Sequence, residues 1–205
     1  MNVNLGLTFS QKLLEMMDTV LRLAETRLEQ LDALVVVVGP GSFTGLRVGI
    51  ATMKALALKL ACPLVGVTTL DALAESARIS GTLAAFMDAR RQQVFAGLYS
   101  RESPEAAPVM IRDAEAEEPG KWIASLSHQD VKFVGDGAEA YRGLIEQAGH
   151  TVLASDCFVA RSAVFNALRK LEGGAVPAAD LIDAFYIRPP DAELAAKQGP
   201  KARCR

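Results

Sequence analysis

A glycine-rich nonapeptide, Gly39-Pro40-Gly41-Ser42-Phe43-Thr44-Gly45-Leu46-Arg47, contains the residues of this chain best suited to hold an anion. It follows a short β-branched run, 34–38, and opens an apolar segment with the spacing of a helix. A glycine-rich turn between a strand and a helix can aim backbone N–H groups and the positive helix end at a phosphate. Glycines also let a strand and a helix pack closely, so a plain structural turn is an equal alternative.

The nonapeptide differs from the two common phosphate-binding patterns. A P-loop has Lys followed by Ser or Thr after its last glycine, whereas Gly45 is followed by Leu46 and Arg47. The dinucleotide-binding pattern has two residues between its second and third glycines, whereas three residues separate Gly41 from Gly45. The pattern alone therefore leaves phosphate binding and close packing open.

Patterns for metal-dependent or nucleophilic catalysis do not occur in the sequence. His128 and His150 lie next to turn-like segments and outside any His-Glu-x-x-His or His-x-x-x-His pattern. No Gly-x-Ser-x-Gly nucleophile elbow is present. The cysteines lie far apart, which indicates free thiols in a reducing compartment: Cys62, Cys157 and Cys204. This inventory argues against a metal-dependent hydrolase and against a peptidase.

The composition predicts a globular protein with a sizeable core. The chain has 205 residues, enough for one large or two small domains, and half of them are apolar. The formal charge of −2 gives no electrostatic reason to bind nucleic acid unaided. Residues 1–8 lack the pattern of a signal peptide, and no apolar run approaches the roughly 20 residues of a membrane span. We therefore expect a cytoplasmic protein with no membrane partner.

Strands and helices alternate through the first half of the chain, which is typical of a parallel α/β layer. The predicted elements are a helix at 10–28, a strand at 34–38, a helix at 44–61, a strand at 64–67 and a helix at 70–78. The second half predicts another α/β unit, with strands at 82–87, 93–99, 131–134 and 151–153 and helices at 139–147 and 160–171. Residues 100–120 are rich in Pro, Glu and Ala, which predicts a loop or a poorly ordered insertion.

The first two predicted helices carry more apolar surface than a core needs. A surface helix of a monomer requires only one apolar stripe of about 100°. The helix at 44–61 has an apolar face on each side, and the apolar arc of the helix at 10–28 spans about half its circumference. Packing within the chain is one explanation. We favour docking of a partner through Leu13, Met17, Val20, Leu21, Val48, Ala51, Ala55 and Leu58.

The nonapeptide and the following Val48-Gly49-Ile50-Ala51 resemble the signature of the TsaB (YeaZ-like) family of tRNA threonylcarbamoyladenosine biosynthesis proteins. Further family landmarks follow in the same order along nearly the whole chain. They are Gly66-Val67-Thr68-Thr69-Leu70, Asp88-Ala89-Arg90-Arg91-Gln92-Gln93-Val94-Phe95, Gly135-Asp136-Gly137-Ala138 and Tyr186-Ile187-Arg188-Pro189-Pro190.

The resemblance implies an α/β chain with the actin-like ATPase (ASKHA) fold. We expect an N-terminal subdomain at 1–80, a C-terminal subdomain at 81–190 and a flexible tail at 191–205. The family begins with strands that carry an Asp-Thr turn, and nothing of that kind precedes Asn4. The first subdomain is therefore expected to be N-terminally incomplete, with an uncovered edge on the strand at 34–38. Nucleotide binding by the chain alone is not expected.

The function that the resemblance implies is that of a non-catalytic subunit in tRNA N6-threonylcarbamoyladenosine synthesis. Such a subunit scaffolds a TsaD-like transferase, with a TsaE-like ATPase as a further partner, and it also pairs with itself. Contact with tRNA, ATP or ADP is implied only within the complex, so no cofactor is expected for this chain. The signature loop, residues 39–47, would fix the geometry of the second helix. The alternatives are an ATP-dependent kinase-like enzyme of the same fold and, with less support, a peptidase.

Five further residues have predicted roles that are structural. Asp88 and Arg90 are expected to form an ion pair at a strand end. Asp136 lies between two glycines and is expected in a turn. Tyr186 and Arg188 are spaced to share one face of an extended segment, and they are expected to anchor the end of the chain to the body.

Overall fold

Two β-sheets with helices between and around them make up the protein. The computed structural model describes residues 9–127, 130–154, 159–174 and 178–188. In chain order the elements are α1 (Phe9–Leu23), β1 (Leu34–Gly39), α2 (Phe43–Leu60), β2 (Leu64–Thr68), α3 (Thr69–Ser76), β3 (Gly81–Arg90), β4 (Gln93–Arg101), β5 (Val109–Glu117), α4 (Pro119–Ala124), β6 (Lys132–Val134), α5 (Asp136–Ala140), α6 (Arg142–Gln147), β7 (Thr151–Val152) and α7 (Ala160–Glu172). Short 3-10 helices occupy Leu28–Gln30 and Ala179–Leu181.

The first sheet is a parallel pair of β1 and β2, with Leu34 opposite Leu64 and Val37 opposite Val67. Both of its faces are covered by helices, as the near-continuous apolar runs of the two strands require. On one face, Ile50 and Ala57 of α2 pack against β1 and β2. On the other face, α3 and α7 supply small side chains that allow close packing, namely Ala72, Ala163 and Ala167.

The second sheet has five strands in the order β5-β4-β3-β6-β7. β3, β4 and β5 are antiparallel neighbours, whereas β6 and β7 run parallel to β3. Phe86, Trp122 and Phe133 fill its outer core, and the rings of Phe86 and Phe133 meet edge to face at 5.2 Å between centroids. Its inner face packs on Leu70 and Leu73 of α3. Helix α3 therefore lies between the two sheets.

The predicted loop at 100–120 is wrong over most of its length. It contains the end of β4, all of β5 and the start of α4, and a turn around Ser103 and Ala106 connects β4 to β5. β5 lies at the edge of the sheet, and its register against β4 shifts twice. Edge strands are commonly bulged and carry charged residues. Since the second half of β5, from Asp113 to Glu117, alternates acidic residues with alanine, it has no apolar period that a sequence pattern could detect.

Two predicted helices have different bounds in the structure. α1 ends at Leu23 instead of Leu28, because Glu25 has φ 52° and the N–H of Thr26 donates to the carbonyl of Leu21. The predicted helix at 139–147 is two short helices, α5 and α6, which meet at Tyr141. The other predicted strands and helices occur within a few residues of their expected bounds.

A strap of residues 178–188 crosses from the first sheet to the second. The Lys54 Nζ donates to the carbonyl of Asp180 at 3.0 Å, and Ile182 is buried in the core of the first sheet. The N–H of Phe185 donates to the carbonyl of Val38 at 2.8 Å. Arg188 then reaches the β3–β4 hairpin. The strap therefore ties both sheets together at one edge of the molecule.

Candidate functional site

A cleft of about 600 Å³ opens where the glycine-rich loop, the end of β3 and the strap meet. Its volume lies within the range of small-molecule pockets. Met87 and Phe95 contribute apolar surface to its lining, whereas Asp88, Asp136 and Arg90 contribute charged groups. The cleft is therefore a concave site that combines apolar and charged lining residues.

The glycine-rich loop is shaped by close contact with the strap and with α3. Gly39 has φ 119°, and a Cβ there would lie 2.6 Å from the carbonyl oxygen of Phe185. The hydroxyl of Thr69 donates to the carbonyl of Pro40 at 2.6 Å. Ser42 caps α2 by accepting the N–H of Gly45 at 3.3 Å. These contacts support the structural-turn interpretation of the loop, since glycine at position 39 is required by packing.

An aromatic stack joins this loop to the strap. The guanidinium carbon of Arg47 lies 3.9 Å from the centre of the Phe43 ring, and the Phe43 and Tyr186 rings are 5.4 Å apart. The Arg47 Nε also donates to the Tyr186 hydroxyl at 3.3 Å. Arg188 donates to the Gln93 side chain at 2.7 Å and to the carbonyl of Ala89 at 3.1 Å. These hydrogen bonds confirm that Tyr186 and Arg188 anchor the strap.

The carboxylates in the cleft are occupied by backbone donors. Asp136 accepts the N–H groups of Asp88 at 3.1 Å and of Gly137 at 2.8 Å. Asp88 accepts the backbone N–H of Arg90 at 2.8 Å, so their contact is a turn hydrogen bond and not the predicted ion pair of side chains. Asp136, which was expected in a turn, is instead the first residue of α5. The start of this helix fits tightly against β3, since a Cβ on Gly137 would lie 2.8 Å from the Met87 carbonyl carbon.

The tip of the β3–β4 hairpin has a feature that the sequence prediction missed. Arg90, Arg91 and Gln92 all have positive φ, at 60°, 54° and 58°, and all three are exposed. Two-residue hairpin loops of this geometry usually contain Asn-Gly or Asp-Gly, so the Arg-Gln pair gave no turn signal. The hairpin therefore holds Arg90, which lines the cleft, and the next residue, Arg91, in a backbone conformation that is unfavourable for their residue type.

Helices α1 and α2 pack against each other, and the eight predicted partner residues divide into two groups. Leu13, Met17, Leu21 and Val48 are half-buried, whereas Val20, Ala51, Ala55 and Leu58 are exposed. Leu58 is 75% exposed, and Leu14 and Leu23 of α1 are 62% and 71% exposed. We refer to the exposed set, Leu14, Val20, Leu23, Ala51, Ala55 and Leu58, as the helical surface.

The histidine and cysteine side chains that the structure describes have structural surroundings. The Nδ1 of His150 accepts the N–H of Val131 at 3.3 Å, and its ring packs on Phe133. Cys62 is a half-buried free thiol, whereas His128, Cys157 and Cys204 lie outside the described residues. Among the described residues, no group of three His, Cys, Asp or Glu side chains could hold a metal ion. In that same part of the chain, every helix is too short or too polar to cross a membrane.

Comparison with known proteins gives consistent matches. A family model described as "TsaD: tRNA N6-adenosine threonylcarbamoyltransferase" matches residues 7–184. The TsaB protein of Bacillus subtilis is 33% identical over 147 residues, which cover 67% of this chain and 59% of that protein. The TsaB protein of Escherichia coli is 32% identical over 153 residues, which cover 68% of this chain and 62% of that protein. The match therefore spans about three-fifths of the length of these curated relatives.

A solved structure extends the likeness to the fold. YeaZ from Pseudomonas aeruginosa superposes with a TM-score of 0.77 and 26% sequence identity, covering 90% of this chain and 86% of that one. The predicted actin-like (ASKHA) α/β fold is thereby confirmed. The family model covers most of the chain, and the relatives and the solved structure described above are TsaB or YeaZ proteins. The chain accordingly belongs to the family that this model describes, and within it the chain is TsaB/YeaZ-like.

Proposed function

We propose that this chain is an accessory subunit in the synthesis of N6-threonylcarbamoyladenosine in tRNA. It docks a TsaD-type transferase and supports that enzyme without performing chemistry itself. The name of the curated relatives, tRNA threonylcarbamoyladenosine biosynthesis protein TsaB, supports the pathway. The observation that carries the docking role is the helical surface.

Helix α2 offers apolar residues on two sides, of which only one faces the core. Ile50 and Ala57 are buried against the first sheet, whereas Ala51, Ala55 and Leu58 are exposed. Exposed apolar patches on a protein of this size mark interaction sites. Small alanine side chains let a partner helix approach closely, and full burial of the Leu58 side chain would contribute about 1.5–3 kcal/mol. An apolar helical face of the partner is therefore the expected counterpart.

A non-catalytic role agrees with the chemistry of the cleft. Asp88 and Asp136 already accept backbone N–H groups there, which suits a structural turn better than a general base. Neither the kinase-like enzyme nor the peptidase is favoured, because the relatives from Bacillus subtilis and Escherichia coli are named tRNA threonylcarbamoyladenosine biosynthesis proteins. We propose no cofactor for the chain alone, with ATP or ADP bound only in the complex.

The wider assembly is part of the same proposal. A TsaE-type ATPase and tRNA join through the complex, in the cytoplasm, and a second copy of this chain competes for the helical surface to form a homodimer. The signature loop positions the start of α2 beneath that surface. A two-subdomain division near Gly81 is supported by the strands, since β1 and β2 precede that residue and the strands of the second sheet follow.

The docking role is tested with the double substitution Ala51→Glu and Ala55→Glu. Both residues are exposed, so the folded state should keep its circular dichroism and melting temperature, while the two buried charges should weaken binding of the TsaD-type subunit at least tenfold by calorimetry. The matched control is Ala124→Glu with Ala140→Glu, two exposed alanines on α4 and α5. Unchanged affinity of the first variant, or an equal loss in the control, would refute the docking surface. Leu58→Ser gives a second, uncharged variant with the same expected direction.

A further inference from the structure

We propose that the strap forms one wall of the partner-docking site, with Leu181 as an anchor for a helix of the TsaD-type subunit. The site is a groove whose floor is the exposed side of α2, at Ala51, Ala55 and Leu58, and whose walls are α1 and the strap. We refer to it as the docking groove. This inference rests on the proposed docking function and adds to it a residue, far along the chain, that selects the partner.

Two hydrogen bonds place the strap along one side of α2. The Lys54 Nζ donates to the carbonyl of Asp180 at 3.0 Å. The Arg47 Nε donates to the Tyr186 hydroxyl at 3.3 Å. Because Lys54 and Arg47 are seven residues apart, they lie on the same side of the helix. The strap therefore follows this side of α2 for about two turns.

The opposite side of α2 is covered by α1. The two helices pack against each other, and Val48 and Thr52 of α2 are half-buried although they lie outside the hydrophobic core of the first sheet. At about 100° per residue, the exposed floor residues lie between Lys54 on one side and Val48 on the other. The exposed strip of α2 is therefore flanked by an element on each side, which makes it the floor of a groove.

Leu181 lies on the strap with its side chain largely accessible. It is 71% exposed, whereas the next residue, Ile182, is 5% exposed and lies in the core of the first sheet. The backbone is held on both sides of Leu181, by the Lys54 hydrogen bond and by the N–H of Phe185, which donates to the carbonyl of Val38. An apolar side chain on a fixed backbone loses little conformational entropy when a partner covers it, which is the property of an anchor residue.

Helix α1 gives the facing wall apolar side chains as well. Leu14 lies on one side of the stripe that packs against α2, and Val20 and Leu23 lie on the other. Since all three are exposed, whichever side of α1 borders the groove is apolar. Apolar walls on both sides of α2 fit a helix that carries a ridge of large apolar residues.

The strap wall also carries negative charge beside its apolar anchor. Asp180 and Asp183 lie on either side of Leu181 in the sequence, and both are exposed. The half-buried Lys54 is the cation that contacts this end of the strap through a printed hydrogen bond, and it bonds to the Asp180 carbonyl. The complementary helix of the partner therefore has a Lys or Arg beside its apolar ridge.

A different protein fits this groove better than a second copy of the chain does. Two copies related by a twofold axis bring the same surface patch to each other. A groove facing an identical groove would leave both floors uncovered and would bring the acidic strap walls together. The docking groove therefore favours a TsaD-type subunit with a convex helical ridge.

The experiment measures the affinity of the full chain for the TsaD-type subunit by calorimetry. Leu181→Ala should weaken binding by about tenfold, because it removes an anchor that the complex buries. Leu181→Met conserves the side-chain volume and should stay within about threefold of the wild type. The matched control, Leu144→Ala, makes the same change at an exposed leucine of α6 and should leave the affinity unchanged. Each altered side chain is exposed, so the melting temperatures should be equal.

Two further variants test the shape and the charge of the groove. Ala55→Leu adds an apolar side chain to the floor, where it would occupy the space of the partner's ridge, so binding should weaken by about tenfold. A flat apolar patch would instead bind more tightly after this substitution. Asp180→Asn with Asp183→Asn should lower the association rate and its dependence on salt, with little change in the dissociation rate.

Several results would overturn the docking groove. They are wild-type affinity of Leu181→Ala, an equal loss in the Leu144→Ala control, or tighter binding of Ala55→Leu. An unchanged salt dependence after substitution of Asp180 and Asp183 would refute the basic residue on the partner helix.

Failure of the docking function itself gives a different result. In that case Ala51→Glu with Ala55→Glu also binds the TsaD-type subunit as the wild type does. If that variant loses binding while Leu181→Ala keeps it, docking on α2 stands and the strap wall is refuted. Self-association, measured by sedimentation, should be the same for Leu181→Ala and the wild type; an equal loss of both interactions would identify a second copy as the occupant and contradict the proposal.

Discussion

Replacement of Glu75 by glutamine should destabilise the fold strongly, because this buried carboxylate forms ion pairs with two arginines, Arg101 and Arg169. Glu75 lies on α3 with its side chain 1% exposed, and Arg101 of β4 is fully buried beside it. One carboxylate oxygen accepts from Arg101 at 3.3 Å, and the other accepts from Arg169 of α7 at 2.5 Å. These ion pairs therefore link α3 to β4 and to α7.

The size of the stability loss depends on which interactions of Arg101 remain after the substitution and which are removed. Its guanidinium still donates to the carbonyls of Glu75, Ser103 and Pro104, so its hydrogen bonds survive the substitution. It loses its compensating charge while remaining out of water, and removal of one partner of a buried pair costs about 3–5 kcal/mol. Arg169 is 31% exposed and can be hydrated, so we expect a value near the lower end, about 3 kcal/mol.

Chemical and thermal unfolding measure this effect. A loss of about 3 kcal/mol corresponds to a fall in melting temperature of about 6–12 °C for a chain of this size. The matched control is Glu139→Gln, which removes a carboxylate that pairs with Arg142 on the surface and should leave the urea midpoint unchanged.

A double-mutant cycle then tests the cause. Glu75→Gln combined with Arg101→Met removes both buried charges, so its cost should be smaller than the sum of the single costs by about 1 kcal/mol or more. Additive costs, or a Glu75→Gln variant as stable as the wild type, would show that the buried charges are not coupled and would refute this account.

Two further predictions concern the packing of the second sheet. Burial and the neighbouring Asp71 carboxylate raise the pKa of Tyr99 well above its usual value, so the unfolded chain releases this proton first as the pH rises above about 10. The difference in unfolding free energy between the wild type and the Tyr99→Phe variant, measured by urea unfolding, should therefore be constant below pH 10. Above pH 10 the wild type should lose about 1.4 kcal/mol per pH unit relative to the variant. If the unfolding free energies of the two proteins ran parallel across this pH range, the prediction would be contradicted. Gly137→Ala should lower the free energy of unfolding by about 1–3 kcal/mol, because the added methyl group would lie 2.8 Å from the backbone of Met87. The control is Gly143→Ala, whose methyl group would have no neighbour within 4 Å and should leave the melting temperature unchanged or raise it. Equal melting temperatures for the two variants would show that the backbone of β3 shifts to accommodate the methyl group.

The alternation of buried strands and helices could be predicted because both sheets have apolar cores. The strands at 34–38 and 64–67 are covered on both faces, so nearly every residue in them is apolar and the pattern is strong. The two-sided helix α2 could also be predicted, since periodicity reports apolar faces whether or not the chain itself covers them. Which of its faces is buried is decided by tertiary packing, and the structure assigns Ile50 and Ala57 to the core.

The features that sequence reasoning missed depend on contacts between distant residues or on unusual backbone. β5 is held by its ladder with β4 and by packing of Met110 and Ala114, not by an apolar period. The cleft arises because the strap returns to a loop 139 positions earlier, where Tyr186 meets Arg47. Exposed aromatic residues such as Phe43 give no sequence signal, since a pattern cannot distinguish a buried ring from an accessible one.

The strap also constrains the order in which the protein can be completed during synthesis. Ile182 shares a hydrophobic cluster with Leu34 and Val36, residues that leave the ribosome long before it does. A nascent chain therefore presents incompletely covered β1 and α2 until the strap emerges, and general chaperones are expected to bind it during that interval. Ribosome-bound chains that stop before residue 178 should consequently be more sensitive to protease than chains that extend past 188.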